Sequence, residues 1–147
     1  MDLETVRNTA KEKLKGYCRV CPVCDGRVCA GEVPGMGGVG TGSAFKANLE
    51  ALASYRFNMR TIHNVKTPDT SIKLFGEKLS IPVLAAPITG TTYNMGGKMT
   101  EEEFIGAIIA GSLQTGTLGM TGDAADPALW GSAMKAIASH QGRGIAI

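Results

Sequence analysis

The order of segments after residue 81 is the strongest constraint on what this chain can fold into. Residues 82–86, PVLAA, form a continuous apolar run, which is typical of a strand buried on both faces. A helix-forming stretch follows, then the apolar run GTLGMTG, a second helix-forming stretch and the opening of a third apolar run, RGIAI. Alternating strands and helices with short connections predict parallel βαβ units, and therefore an α/β fold.

The two helices of this region are predicted from local signals. TEEEFIGAIIAGSLQ places Thr100 at the N-cap and Glu103 at the capping-box position. Its apolar face is predicted to run through Phe104, Ile108 and Ile109. DPALWGSAMKAIASHQG predicts the second helix.

The region before residue 81 predicts two more helices and a hairpin. Residues 3–16 favour a short amphipathic helix closed by Gly16, and TSIKLFG and EKLSI favour two short strands around a turn at Gly76. FKANLEALASYRFNM predicts a helix whose apolar face is formed by Phe45, Leu49, Leu52 and Tyr55 or Phe57.

Composition and charge argue against two classes of partner. Fifteen basic and thirteen acidic residues are spread along the chain, without the basic stripe that follows a nucleic-acid backbone, so nucleic acid is not expected. No apolar run reaches the roughly 18 residues of a membrane-spanning helix, and MDLETVRNTAKEKLKG lacks the apolar centre of a signal peptide. We therefore expect no membrane association and a cytoplasmic location.

All four cysteines lie within the twelve-residue stretch CRVCPVCDGRVC. Gaps of two residues let successive thiolates converge on one ion, and the intervening Pro and Gly favour the tight turns this requires. In a reducing compartment such a cluster is more often a ligand set than a disulfide framework. We predict a metal site, either zinc or an iron–sulfur cluster, whose ligands are Cys18, Cys21, Cys24 and Cys29. Free thiols, and a redox disulfide between Cys21 and Cys24, are the alternatives.

One ordered series of residues resembles a known family. Asn48, Arg60, the run DTSIKLFG and the run IPVLAAPITG follow one another as in the segment before the first barrel strand of the FMN-dependent α-hydroxy-acid oxidases and dehydrogenases, such as glycolate oxidase and lactate oxidase. EEEFIGAIIAGSLQTGTLGMTG continues the series and resembles the first helix and second strand of that family. The resemblance covers roughly residues 40–147.

The resemblance implies a fold and indicates how much of that fold this chain comprises. The family fold is a (β/α)8 TIM barrel whose active site lies at the C-terminal ends of the strands. The chain would then comprise residues 1–44, an N-terminal helix with the cysteine-rich and glycine-rich segment, and residues 45–147, the first part of an incomplete barrel. Because the sequence stops within the third apolar run, we expect the N-terminal part of a longer protein. We also expect a partner in the C-terminal half of the barrel, or self-association into a homo-oligomer, since unpaired apolar strands associate.

The resemblance also implies FMN as cofactor, contacted by residues that end the first two strands. Pro87 is one of these residues and cannot donate a backbone hydrogen bond, so the first strand must end there. A plain strand-to-loop turn is the alternative interpretation. The implied contacts are Ala86, Pro87, Ile88, Thr89, Thr121 and Gly122.

For the complete protein, the resemblance implies oxidation of a small 2-hydroxy acid through FMN. The histidine base and substrate-binding arginine of the family come from later strands, so we assign no catalytic residue and expect this chain alone to be inactive. His63 and His140 are predicted to be ordinary surface or turn histidines. Another FMN barrel, such as type 2 isopentenyl-diphosphate isomerase, and a non-enzymatic metal-binding or interaction module remain the alternatives.

Overall fold

The computed structural model describes residues 2–32 and 38–147. Part of the glycine-rich segment, residues 33–37, therefore lies outside the described residues. The helices and strands, in chain order, are α1 (Leu3–Lys13), α2 (Ser43–Ser54), β1 (Ile72–Leu74), β2 (Glu77–Leu79), α3 (Thr91–Asn94), α4 (Glu101–Gln114) and α5 (Pro127–Ser139).

Helix α4 begins where the sequence predicts. The Thr100 side chain accepts a hydrogen bond from the Glu103 amide, and the Glu103 side chain accepts one from the Thr100 amide. The predicted capping box is therefore confirmed. The buried face differs slightly from the prediction, since Ile105 and Ile109 are fully buried while Phe104 and Ile108 are only half-buried.

Helix α5 packs against α4 and completes the main apolar core. Asp126 caps its first turn by accepting a hydrogen bond from the Ala128 amide, and Pro127 occupies the first turn, where no amide donor is needed. Small alanines on α5 let the two helices approach closely. The buried core residues of this pair are Ile105, Ile109, Ala133, Ala136 and Ile137.

Three short extended segments lie side by side in parallel. Ala85 pairs with Gly119, and Met120 pairs with Ile145, each as a single parallel bridge. The Ala85 amide donates to the Leu118 carbonyl and the Ile145 amide donates to the Gly119 carbonyl. The predicted order of strand, helix, strand, helix and strand is present, but the extended segments are paired too briefly to form full strands. Within the described residues there is no closed barrel.

The apolar run at residues 82–86 is not buried on both faces, so that prediction is wrong. Val83 is 56% exposed, and Pro82 and Ala86 are exposed as well. The run is hydrogen-bonded to only one described neighbour, the segment around Leu118 and Gly119, and the physical reason for the exposure is that the face carrying Val83 is open to solvent. An apolar run is buried on both faces only when other parts of the protein cover both of those faces.

The hairpin before this run is confirmed. β1 and β2 pair antiparallel with Leu74 opposite Glu77, and the turn between them contains Phe75 and Gly76, both at positive φ. Leu79 is fully buried and fixes the inner face of the hairpin. Arg143 forms an ion pair with Glu77 at 3.3 Å.

The N-terminal helices are shorter at their C-termini than predicted. Helix α1 ends at Lys13, ahead of Gly16, and Asp2 caps its first turn. Helix α2 ends at Ser54, because Tyr55 already has extended backbone angles. Tyr55 and Phe57 are therefore exposed beyond the helix, and the predicted apolar face is correct only for the half-buried Phe45 and Leu49.

The described residues form two compact units. One unit combines Met1–His63 with Thr92–Lys98, and the other combines Asn64–Thr91 with Met99–Ile147. The first contains α1, α2 and the cysteines, and the second contains the hairpin, the three parallel segments, α4 and α5. The boundary between residues 44 and 45 stays a prediction. None of the described helices is long and apolar enough to cross a membrane.

Candidate cofactor site

The first parallel segment ends at the residues predicted to contact a flavin. Ala85 is the last residue of this segment paired with a neighbour, since its carbonyl accepts from the Met120 amide at 3.1 Å. Pro87 has no amide hydrogen and cannot extend the pairing. Beyond it, Ile88 is exposed and Thr89 is half-buried. Ala86, Pro87 and Ile88 thus form an exposed stretch at the C-terminal end of a parallel segment.

The second parallel segment ends at Thr121 and Gly122, both buried. The Thr121 amide donates to the Ile145 carbonyl at 2.9 Å, so the third segment fixes the backbone here. Thr121 as a whole is 1% exposed. The first and second segments run side by side in the same direction. Their C-terminal ends are therefore neighbours.

Gly122 brings these two ends into direct contact. A Cβ atom built on Gly122 would lie 2.7 Å from the Ile88 carbonyl carbon and 2.7 Å from the Thr89 amide nitrogen. The Thr89 hydroxyl also donates to the Asp123 carbonyl. Only glycine permits this approach of two backbones, which places two of the predicted contact segments in one location.

Thr121 carries a buried hydroxyl that suits a polar ligand. Its Oγ1 atom is fully buried and has no hydrogen-bond partner among the described residues. Leaving a buried hydroxyl unpaired is costly, and such groups usually have a partner. The polar edge of a flavin could supply that partner, so the residues present fit FMN at this point.

Glu101 contacts the loop that follows the first parallel segment, a contact that no sequence pattern predicts. The Gly90 amide donates to both carboxylate oxygens of Glu101 at 3.1 Å, and the Thr91 amide donates to one of them at 2.9 Å. The sequence shows three consecutive glutamates at residues 101–103, and the capping-box pattern draws attention to the third. The first of them is the one that reaches the loop.

The four cysteines lie together but do not form a ligand set. Together they line one small cavity of about 20 Å³. All are free, with Cys24 exposed and the others half-buried, and the Val20 amide donates to the Cys18 sulfur at 3.3 Å. Among residues 2–32 and 38–147, no group of three or more His, Cys, Asp or Glu side chains is arranged to hold a metal ion. The structure therefore gives the zinc or iron–sulfur prediction no support.

The cations next to the cysteines are paired with carboxylates. Arg19 donates two hydrogen bonds to Glu32, at 2.7 and 2.8 Å. This pairing raises the pKa of Arg19, and the nearby Cys29 and Cys21 add smaller contributions. Arg27 is paired with Asp25 through one side-chain hydrogen bond, donated by its Nε atom.

The two histidines lie where the sequence predicts. His63 is exposed. His140 caps the C-terminus of α5, with its Nδ1 atom 2.8 Å from the Ala136 carbonyl oxygen.

The site defines a class of protein. The parallel segments are joined by helices, and the loops after the first two segments are in contact. In α/β proteins, cofactors are held by such loops at the C-terminal ends of parallel strands. The family model described as FMN-dependent dehydrogenase matches residues 35–115, which is more than half of the chain. The chain belongs to the FMN-dependent dehydrogenase family.

Membership of this family implies an FMN-dependent oxidoreductase. The match includes Ala86–Thr89 and Glu101, ends before Thr121 and begins after the four cysteines. The family therefore assigns no role to the cysteine segment. Comparisons with curated proteins and with solved structures gave no match.

Proposed function

We propose that this chain forms part of the flavin site of a (β/α)8-barrel oxidoreductase that resembles the α-hydroxy-acid oxidases and oxidises a small 2-hydroxy acid through FMN. The observation that carries the proposal is the contact of Gly122 with the backbone of Ile88 and Thr89. This contact joins the ends of the first two parallel segments, where a barrel of this kind holds its cofactor. The family match supports the cofactor independently of that geometry.

Each predicted contact has a distinct task in this proposal. Ala86, Pro87 and Ile88 are exposed and offer backbone and apolar surface to the flat face of the flavin ring. The buried Thr121 hydroxyl offers a hydrogen bond to a polar flavin atom. FMN, when bound, supplies the acceptor for the hydride equivalent that leaves the substrate. Gly122 and Thr89 keep the two segments together.

Completion of the site needs further barrel strands. We propose that a C-terminal half of the barrel supplies them, with the proton-abstracting base and the group that binds the substrate carboxylate, and that the protein works in the cytoplasm, without nucleic acid, as a homo-oligomer. Exposed apolar side chains on and beside the first parallel segment support a packing partner, because the faces of parallel strands are usually covered. They include Ile81, Val83 and Ile88.

The experiment is an anaerobic titration of the protein together with its barrel partner. The protein is loaded with FMN and mixed with L-lactate or glycolate, and flavin reduction is followed by its visible absorption. Bleaching by a 2-hydroxy acid supports the proposal. FMN that binds but is not bleached, in a protein that converts isopentenyl diphosphate, would establish the isomerase alternative instead. Absence of FMN binding would refute both.

A further inference from the structure

The carboxylate of Glu101 holds two consecutive backbone amides of the loop after the first parallel segment. Three N–H···O contacts of 2.9 to 3.1 Å join it to Gly90 and Thr91. Glu101 is only 9% exposed and Thr91 only 2%. The contacts are therefore largely sheltered from water, where hydrogen bonds to an ionised group are stronger than neutral ones.

Gly90 makes this arrangement possible. Its φ of +81° lies in the left-handed region, where glycine is the favoured residue. A residue in this conformation turns consecutive amides toward one point and creates a concave site for an anion. Here the anion is a side chain of the same chain. Removing its charge would leave buried amides poorly paired.

Glu101 is distinguished from the glutamates that follow it. Glu103 is occupied by the capping box with Thr100, and Glu102 is exposed. Glu101 is the first residue of α4, where the helix dipole favours a negative charge. A single rigid helix thus anchors the loop, while α4 is itself fixed by its packing against α5.

The anchored loop begins directly after the proposed flavin-contact run Ala86–Thr89. We propose that Glu101 is a positioning residue for FMN: by fixing the amides of Gly90 and Thr91, it holds the backbone of Ile88 and Thr89 in the geometry that meets the flavin. This inference rests on the proposed function. Glu101 acts through the loop in this proposal, because both of its carboxylate oxygens accept from the Gly90 and Thr91 amides.

The test compares Glu101→Gln with Glu102→Gln, which makes the same change in charge at the next, exposed residue. Amide hydrogen exchange is measured without FMN, and FMN affinity and the visible spectrum of saturated FMN are measured with the complete protein. In Glu101→Gln we expect exchange at Gly90 and Thr91 to accelerate roughly 10- to 100-fold. We also expect about 10-fold weaker FMN binding and a shifted flavin spectrum, because the ring meets a displaced backbone. Glu102→Gln should match the wild type.

Exchange at the core amides of Ile109 and Ile137 reports whether the variant is folded. If Glu101→Gln loses that protection, Glu101→Asp replaces it, because its shorter side chain keeps the charge but reaches the loop less well. A folded variant with wild-type FMN affinity and spectrum would overturn this inference alone. A wild-type protein that binds no FMN would overturn the proposed function and this inference together.

Discussion

Gly122 and Thr89 are in backbone contact: a Cβ on Gly122 would lie 2.7 Å from the Thr89 amide nitrogen. Such a distance is well inside van der Waals contact, and the atom it meets belongs to a backbone that cannot rotate away. The ends of the first two parallel segments, at Thr89 and Gly122, are therefore coupled, because neither can shift toward the other without a clash. Any residue larger than glycine at position 122 must push the loops apart.

The first prediction concerns Gly122→Ala. We expect a loss of about 1–3 kcal/mol in the free energy of unfolding, because one added methyl group overpacks a rigid contact. FMN binding should weaken as well, because the added methyl group displaces the proposed flavin-contact run Ala86–Thr89. Urea denaturation and FMN titration measure the two effects.

Gly131→Ala is the matched control for this substitution. Gly131 lies inside α5 with nothing within 4 Å of an added Cβ. Alanine is preferred to glycine in a helix interior, so this variant should be stabilised by about 0.5–1 kcal/mol. Equal stability of Gly122→Ala and the wild type would contradict the close approach.

The second prediction concerns the buried Thr121 hydroxyl. Thr121→Val keeps the shape and removes an oxygen that has no partner among the described residues. Stability without FMN should stay unchanged or rise, whereas FMN affinity should fall about 10-fold if that oxygen bonds to the flavin. Thermal unfolding without FMN and flavin fluorescence titration separate these effects.

Thr117→Val provides the opposite case. The Thr117 hydroxyl donates to the Val83 carbonyl, so this substitution removes a hydrogen bond that holds the first parallel segment. We expect a loss of about 1 kcal/mol in stability, in contrast to Thr121→Val. If both variants lose the same stability without FMN, Thr121 has a structural partner and the flavin assignment is wrong.

Helix α4 shows what local sequence can predict. Thr100 and Glu103 are three residues apart, and their reciprocal capping depends on no distant partner. The hairpin around Gly76 is local in the same sense. Because these signals lie within a few residues, the sequence predicted both elements correctly.

Burial and side-chain direction depend on distant neighbours and were harder to predict. Val83 belongs to an apolar run yet is exposed, because its face of the run is left largely uncovered by the described residues. The contacts of Glu101 with Gly90 could not be inferred, since three consecutive glutamates do not show which one faces a loop eleven residues earlier. The FMN assignment itself came from resemblance to a family, not from composition or spacing.

The third prediction concerns the pairing of Arg19 with Glu32. The hydrogen bonds from Arg19 hold the pKa of Glu32 below its usual value of 4.5. Because the folded pKa is the lower one, this pairing stabilises the fold above the usual pKa and is lost as the pH falls through the folded pKa. In Arg19→Gln the pKa of Glu32 should rise toward its usual value, as measured by an NMR pH titration.

Arg27→Gln is the control, since Arg27 is paired with Asp25. It should leave the titration of Glu32 unchanged and raise the pKa of Asp25, which Arg27 holds low mainly through a hydrogen bond from its backbone amide and another from its side chain. The backbone bond persists in the variant, so the rise should be partial. A Glu32 pKa that does not move in Arg19→Gln would show that the pairing is absent in solution.

The fourth prediction separates free thiols from a metal site. Cys24 is exposed and the other three cysteines are half-buried, so iodoacetamide should alkylate Cys24 first, because reaction requires solvent access to the sulfur. Mass spectrometry of the modified peptides gives the order, and Cys24→Ser should abolish the fastest phase.

The predicted ligand set requires a different result with zinc. One equivalent of zinc must protect all four thiols, including Cys24, since four thiolates around one tetrahedral ion leave no sulfur free. If zinc leaves alkylation of Cys24 unchanged, the four-cysteine site is wrong and the segment consists of free thiols.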